Sequence, residues 1–222
     1  MSFLDQLLDN WDSLGTALLV TASSGVAGIV VASSIGVFFG VLLTYGNRFV
    51  ALPIRIYVDV VRGIPVLVII FVSFYLLGYV LQAYGLELGS WGAGVIALSV
   101  FGAADVAELT RGALQSLPAG QLEAATALGL RFRQIFRYVL APQAILRMIP
   151  PWINTATELI KATTLLSLIG VGELLLAANQ IVATGGNALY LFLAIGLLFL
   201  IVNTLIQVFA LQVEKKLNYK RS

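Results

Sequence analysis

Between Ser13 and Asn47 the chain carries no charged residue, and that run limits what the chain can fold into more than any other feature. A helix needs about 20 predominantly apolar residues to cross a hydrocarbon core, so the run predicts one membrane-spanning helix over about residues 16–45. In lipid the hydrophobic effect gives helices little reason to associate, and contact depends on close packing of small side chains. The run supplies them in Gly25, Gly28, Ser33, Ser34, Gly36 and Gly40. Gly36 and Gly40 have the G-x-x-x-G spacing that lets helix backbones approach closely, so their expected role is packing, not ligand binding.

The rest of the chain has the same character. Of 222 residues, 59% are hydrophobic and 11% charged, against about a quarter charged in soluble domains. The expected fold class is an all-α membrane protein. Cysteine and histidine are both absent, which removes disulfides, thiolate or imidazole metal sites and the usual general base. No GxxxxGK[ST] phosphate loop occurs, so nucleotide hydrolysis would fall to another polypeptide and catalysis is not expected here. A net charge of +2 gives no footprint for nucleic acid. Asp5, Asp9 and Asp12 precede the first basic residue, Arg48. That order lacks the positive region of a cleaved signal peptide, so the first apolar run is expected to persist.

Apolar runs predict about five spans in a single domain over residues 1–222, at about 16–45, 63–86, 92–117, 145–166 and 188–213. Asn47 to Arg62 reads as a basic turn in which Asp59 and Arg62, three apart, are expected to pair. Pro65 and Pro150-Pro151 predict a break or bend, and Pro118 ends the third span. Gly170, Gly172, Asn179, Gln180 and Thr184-Gly185-Gly186-Asn187 break up the region after Ala162, predicting a short helix and loop near the outer face. Glu173 within it is expected to line an external gate or to be hydrated. With the N-terminus outside, Arg48, Arg55, Arg62, Arg111, Arg131, Arg133, Arg137, Arg147, Lys215, Lys216, Lys220 and Arg221 all fall on the cytoplasmic side, and only Lys161 is left over.

A polar island at about residues 118–142 interrupts these runs. Its core reads QLEAATALGLRFRQIFRYVLAP from Gln121 to Pro142. The alanines and leucines favour helix and Gly129 interrupts it, which predicts two short helices meeting at a bend. The spacing of Glu123-Ala124-Ala125, Gly129, Val139 and Ala141-Pro142 resembles the EAA loop of bacterial ABC-importer permeases, with Val139 where isoleucine is usual and Ala141 where leucine is usual. Tyr57 to Pro65 resembles the Tyr-x-x-x-x-Arg-Gly-Thr-Pro signature of the polar amino acid branch, with Ile64 in place of threonine. Glu108, Arg111-Gly112, Gly120-Gln121, Pro142-Gln143-Ala144, Asn154, Lys161, Thr163, Ile169-Gly170 and Glu173-Leu174 extend that resemblance, while Ala162 and Thr164 replace its aspartate and serine.

The resemblance implies a type I ABC-importer permease subunit for a polar amino acid, with about five transmembrane helices plus a cytoplasmic coupling helix. It also implies partners: a second permease subunit in a homodimer or heterodimer, an ABC ATPase subunit dimer that binds ATP and Mg, and an extracytoplasmic solute-binding protein. The setting would be the lipid of a bacterial inner membrane, with the N-terminus outside and the C-terminus cytoplasmic. Glu123, Ala124, Ala125, Gly129, Arg131 and Arg133 are the residues expected to couple to the ATPase. Arg137 suits a lipid headgroup equally well.

Ionisable groups within spans are costly enough to point to function. At about 1.5 Å rise per residue, Asp105, Glu108, Glu158 and Lys161 all reach the middle of the core, and each pair shares a helix face. If the two spans are neighbours, three carboxylates and one ammonium line one polar space. The alternative to a solute-facing role is a buried ion-pair network that fixes helix register, in which Lys161 would neutralise Glu158 and Arg111 would reach back toward Glu108. Lys161 and Glu108 match positions in the resemblance, whereas Asp105 and Glu158 depart from it, the family having tyrosine-like and small polar residues there. The surplus of acid predicts a path for a cationic or zwitterionic solute. An ion-coupled secondary transporter, with Asp105 and Glu108 as coupling sites, is the alternative.

Overall fold

Small residues decide where the first helix packs. In the computed structural model, which describes residues 8–219, helix α1 (Trp11–Tyr45) buries Ala17, Thr21, Ser24, Gly25, Gly28, Ala32, Gly36 and Gly40. Its larger side chains, among them Leu19, Val26, Val30 and Phe38, stay exposed. The small seam lies along helix α4 (Ser90–Gln115). A Cβ added to Gly36 would stand 2.5 Å from Val106 Cβ and 2.8 Å from the Ala103 carbonyl, and one on Gly40 2.6 Å from the Ala107 carbonyl. The G-x-x-x-G pair is therefore a site of backbone approach, as its spacing predicts.

Helix α4 is the centre of the bundle and also touches α2 (Arg48–Gly63), α3 (Val66–Gln82) and α7 (Ala141–Ala162). The segment expected as a basic turn is helix α2. Asn47 starts it by accepting the Val50 N–H at 3.0 Å, and Ile54, Val58 and Val61 bury one stripe of it. Ile64 is extended before Pro65, as the residue preceding a proline tends to be, and α3 leaves α2 at 112°. By length and composition this region passes as a candidate span only when the bent pair is taken together.

After α4 come α5 (Ala119–Ala127), α6 (Phe132–Ile135), a π-helical turn at Phe136–Leu140, and α7. The wide turn ends where Ala141 donates to the Phe136 carbonyl, immediately before Pro142, which has no N–H to offer the normal ladder. Helix α7 then runs without a break through Pro150 and Pro151 and tightens into a 3₁₀ segment at Thr163–Ile169. Helices α8 (Leu174–Ala183) and α9 (Ala188–Tyr219) complete the chain. Glu173 is fully buried, not hydrated. Its carboxylate caps α8 by accepting the N–H groups of Leu175 and Leu176 at 3.0 and 2.9 Å, while the Leu174 N–H donates to Thr21 Oγ1 of α1 at 3.1 Å.

By length and composition, three described helices can cross a membrane alone, and up to five spans result if each bent pair counts as one. Asp5, Lys220 and Arg221 lie outside the described residues, as do the side chains of Lys215 and Lys216. Replacing Gly36 or Gly40 by leucine forces α1 away from α4. Each variant is expected to lose about 1–3 kcal/mol of stability, measured as a lower thermal midpoint of the detergent-purified protein, whereas leucine at the open Gly78 of α3 leaves the midpoint unchanged.

Candidate functional site

The face of α4 opposite its contact with α1 carries Asp105, Glu108, Leu109 and Gly112, spaced three or four apart along one side of the helix. Helix α7 brings Arg147, Pro151, Thr155 and Glu158 on one of its own faces, and the end of α2 adds Arg62. Together these line an open cavity of about 490 Å³ between α2, α4 and α7. Asp105, Glu108 and Glu158 thus share one space, as their spacing predicts. Lys161 does not join them. It is exposed on the last turn of α7, it does not line the cavity, and it has no ion pair among the described residues. The expected Glu158–Lys161 pair is absent for the same reason.

Cations from elsewhere take its place. Glu108 accepts Arg55 Nη1 at 3.1 Å and Arg111 Nε at 3.0 Å, and its second oxygen accepts Arg111 Nη2. Arg111 therefore reaches back to Glu108 as expected, and Arg55 is the addition. Asp105 accepts Arg62 Nε at 3.1 Å. Arg62 consequently does not pair with Asp59, which instead lies 3.7 Å from Arg55 one turn away. Arg147 donates to the Ser116 carbonyl and to Ser116 Oγ, the latter at 2.8 Å, and so fastens α7 to the end of α4. Glu158 has neither a hydrogen bond nor an ion pair among the described residues. The lining is therefore less acidic than the carboxylates alone suggest. Sequence reasoning missed Arg55, Arg62 and Arg147 as members of the site. The available signal was the basic stripe Arg48, Arg55, Asp59 and Arg62, which has helical spacing.

The polar island forms an exposed elbow. Helix α5 buries only Ala125. It ends in a Schellman motif, in which the Gly129 N–H donates to the Thr126 carbonyl at 2.9 Å and the Leu130 N–H to the Ala125 carbonyl at 3.2 Å, the pairing that satisfies orphan helix carbonyls. Gly129 holds φ at +75°, a left-handed conformation that costs an L-residue about 1–2 kcal/mol. The two predicted helices and the bend between them are present. Glu123, Ala124, Arg131 and Arg133 face outward, and Leu128 is 80% exposed.

The elbow is tied down at both ends. Tyr45 at the end of α1 meets the rings of Phe132 and Phe136 edge-on, with centroids 5.0 and 6.1 Å away. Gln121 and Gln143 exchange amide hydrogen bonds at 3.1 and 2.8 Å. Helix α5 is thereby clamped to the base of α7.

Residues 16–219 match the family described as "Binding-protein-dependent transport system inner membrane component". The glutamate/aspartate import permease protein GltJ of Escherichia coli is 31% identical over 209 residues, covering 89% of this chain and 84% of that protein. The arginine ABC transporter permease protein ArtQ of Haemophilus influenzae is 34% identical over 169 residues, covering 75% and 76%. A chain from the "Crystal structure of an amino acid ABC transporter with histidines" superposes with a TM-score of 0.85 at 24% identity, covering 97% of this chain and 99% of that one. A chain of the inward-facing MetNI methionine ABC transporter gives 0.71 at 24% identity, covering 98% and 99%. At that identity the two structures speak to the fold alone.

The cluster around Glu108 has a stability consequence. Glu108→Gln leaves Arg55 and Arg111 without their shared anion in a partly buried setting and is expected to cost on the order of 1–2 kcal/mol. Asp105→Asn, which breaks a single partly wet ion pair, is expected to cost less than about 1 kcal/mol. Thermal unfolding of the purified variants ranks the two.

Proposed function

The chain belongs to the binding-protein-dependent transport system inner membrane component family, and on that premise we propose that its elbow is the coupling element and its charged cavity the solute path of an amino acid ABC importer. The family membership and the fold make the chain an all-α, type I permease subunit of such an importer, not its ATPase, and they displace the ion-coupled alternative. The solute in this reading is a polar amino acid or a related cationic or zwitterionic molecule.

The observation that carries the reading is the attachment of the elbow. A helix with one buried residue is clamped through Gln121–Gln143 to α7, the helix whose face lines the charged cavity. An exposed helix held this firmly suits a partner that pushes on it. The partner is an ABC ATPase dimer that binds ATP and Mg, and Glu123, Ala124, Ala125, Gly129, Arg131 and Arg133 form the contact. Arg137, within 5.8 Å of the Tyr138 ring centroid, sits at the edge of that surface and suits a lipid headgroup. The basic elbow supports a cytoplasmic position for this end of the bundle and an outer position for the α8 end, where in this reading a solute-binding protein delivers its cargo to a pair of permease subunits in the bacterial inner membrane. Closure of the ATPases draws the two elbows together, and the spans rock to open outward. Hydrolysis resets the inward state.

Gly129 supplies the test. In vesicles holding the permease, its ATPase and its binding protein, Gly129→Val strains the Schellman turn and is expected to cut uptake at least about tenfold while the protein still inserts, whereas Gly129→Asn, which tolerates the left-handed conformation, keeps most uptake. Unchanged uptake by the valine variant, or wild-type uptake without the ATPase, overturns the assignment.

A further inference from the structure

The carboxylates lining the cavity differ in how firmly they are engaged. Glu108 is held by two guanidinium groups through three contacts. Asp105 has one partner, Arg62 Nε. Glu158 has none among the described residues. The cation of the Arg62–Asp105 pair is the wettest of those involved, its side chain 48% exposed, while Asp105 at 21% is about as buried as Glu108 at 23%. Both Nη groups of Arg62 lack a partner among the described residues. With one contact to break instead of three, and a cation that is half exposed, this pair costs less to open than the Glu108 cluster.

An anion and a cation in contact on a cavity wall match the two backbone charges of an amino acid. We propose that Arg62 and Asp105 form an exchangeable ion pair, opened by an α-amino acid whose ammonium is taken by Asp105 and whose carboxylate is taken by Arg62. The inference rests on the reading of this cavity as the solute path. The exchange is neutral: one internal pair and one zwitterion become two pairs, so no net charge is added to a low-dielectric space. The guanidinium fork is suited to a carboxylate, and Arg62 has its two Nη groups available. Arg147 is less available because it is committed to Ser116. Among the described residues Glu158 is then the one unpaired acid on the lining, and it selects a basic side chain over an acidic one.

The experiment measures binding to the purified permease–ATPase complex, without binding protein, by ligand-dependent thermal shift. The probes are L-arginine, L-argininamide, Nα-acetyl-L-arginine and L-glutamine. The wild type is expected to bind L-arginine and to bind the amide and the acetyl derivative each about tenfold more weakly, the loss of one charge-assisted contact. Arg62→Gln abolishes the penalty on the amide alone, and Asp105→Asn the penalty on the acetyl derivative alone. Glu158→Gln reduces the preference for arginine over glutamine.

Neutralising either partner also loosens α2 from α4, so Arg62→Lys and Asp105→Glu provide the control, and both are expected to keep the wild-type discrimination. If the neutral variants lower the ligand-free midpoint yet rank the probes as the wild type does, the pair is only a helix clamp and the proposal falls. It falls equally if the wild type binds none of the probes. Uptake of a ¹⁴C-labelled amino acid mixture by vesicles holding the whole importer then decides separately whether the importer reading stands.

Discussion

Close approach between α1 and α4 is the constraint on which the other positions depend. Without a hydrophobic drive between helices in lipid, association rests on van der Waals contact and hydrogen bonds, and glycine at positions 36 and 40 admits the Ala103 and Ala107 backbone where any side chain would be turned away. The consequence is rotational as much as translational. With Ala103, Val106, Ala107 and Thr110 committed to α1, the helix period turns Asp105, Glu108, Leu109 and Gly112 toward α2 and α7. The cavity inherits its chemistry from a seam that contains none of it.

Charge placed on that second face then has to be answered. Two unit charges 4 Å apart interact by about 1 kcal/mol in water and about 4 kcal/mol at an effective dielectric near 20, so an unanswered carboxylate inside a bundle is expensive. Helix α2 supplies the answer. Its core stripe of Ile54, Val58 and Val61 seats it on the bundle, and Arg55 and Arg62 project to Glu108 and Asp105. Tyr57 adds a hydrogen bond to the Val100 carbonyl at 2.5 Å. Engagement falls from Glu108 to Asp105 to Glu158, which separates a firmly held anchor from carboxylates with fewer contacts.

Much of this was legible in the sequence wherever a local rule operates. The Gly36/Gly40 spacing, the bend at Gly129 and the shared face of Asp105 and Glu108 each follow from helix period or backbone conformation over a few residues. Helix α2 was not legible because it carries two apolar stripes and a basic one. Phe49, Leu52, Ile56 and Val60 are exposed on its far side, and the arginines between the stripes read as an interfacial turn. The partner of Asp105 stands 43 residues away, which no periodicity reports. Lys161 was misplaced by a local rule applied one turn too far. It lies at the end of α7, where the helix passes into the 3₁₀ segment, and side chain and cavity part company there. Glu173 likewise read as a membrane-face acid because its partners are backbone N–H groups, which a sequence does not display.

Between the elbow and the cavity the soft points are few. The Schellman turn at Gly129, the Tyr45–Phe132–Phe136 ring cluster and the Gln121–Gln143 amides make the elbow one body with the base of α7. That body encloses the π-helical turn at Phe136–Leu140, and beyond it lies the Pro150-Pro151 pair, whose nitrogens donate nothing to the Leu146 and Arg147 carbonyls. Arg147 sits between these two weak places and holds Ser116. In the proposed coupling role, a push on the elbow reaches α7 at Gln143 and next meets the Arg147–Ser116 contact that fastens α7 to α4. Both walls are tied to α1, α4 along the glycine seam and α7 through Trp152 Nε1, which donates to Ser33 Oγ at 2.8 Å; the two walls therefore share one support, and the elbow is joined to that body through the base of α7.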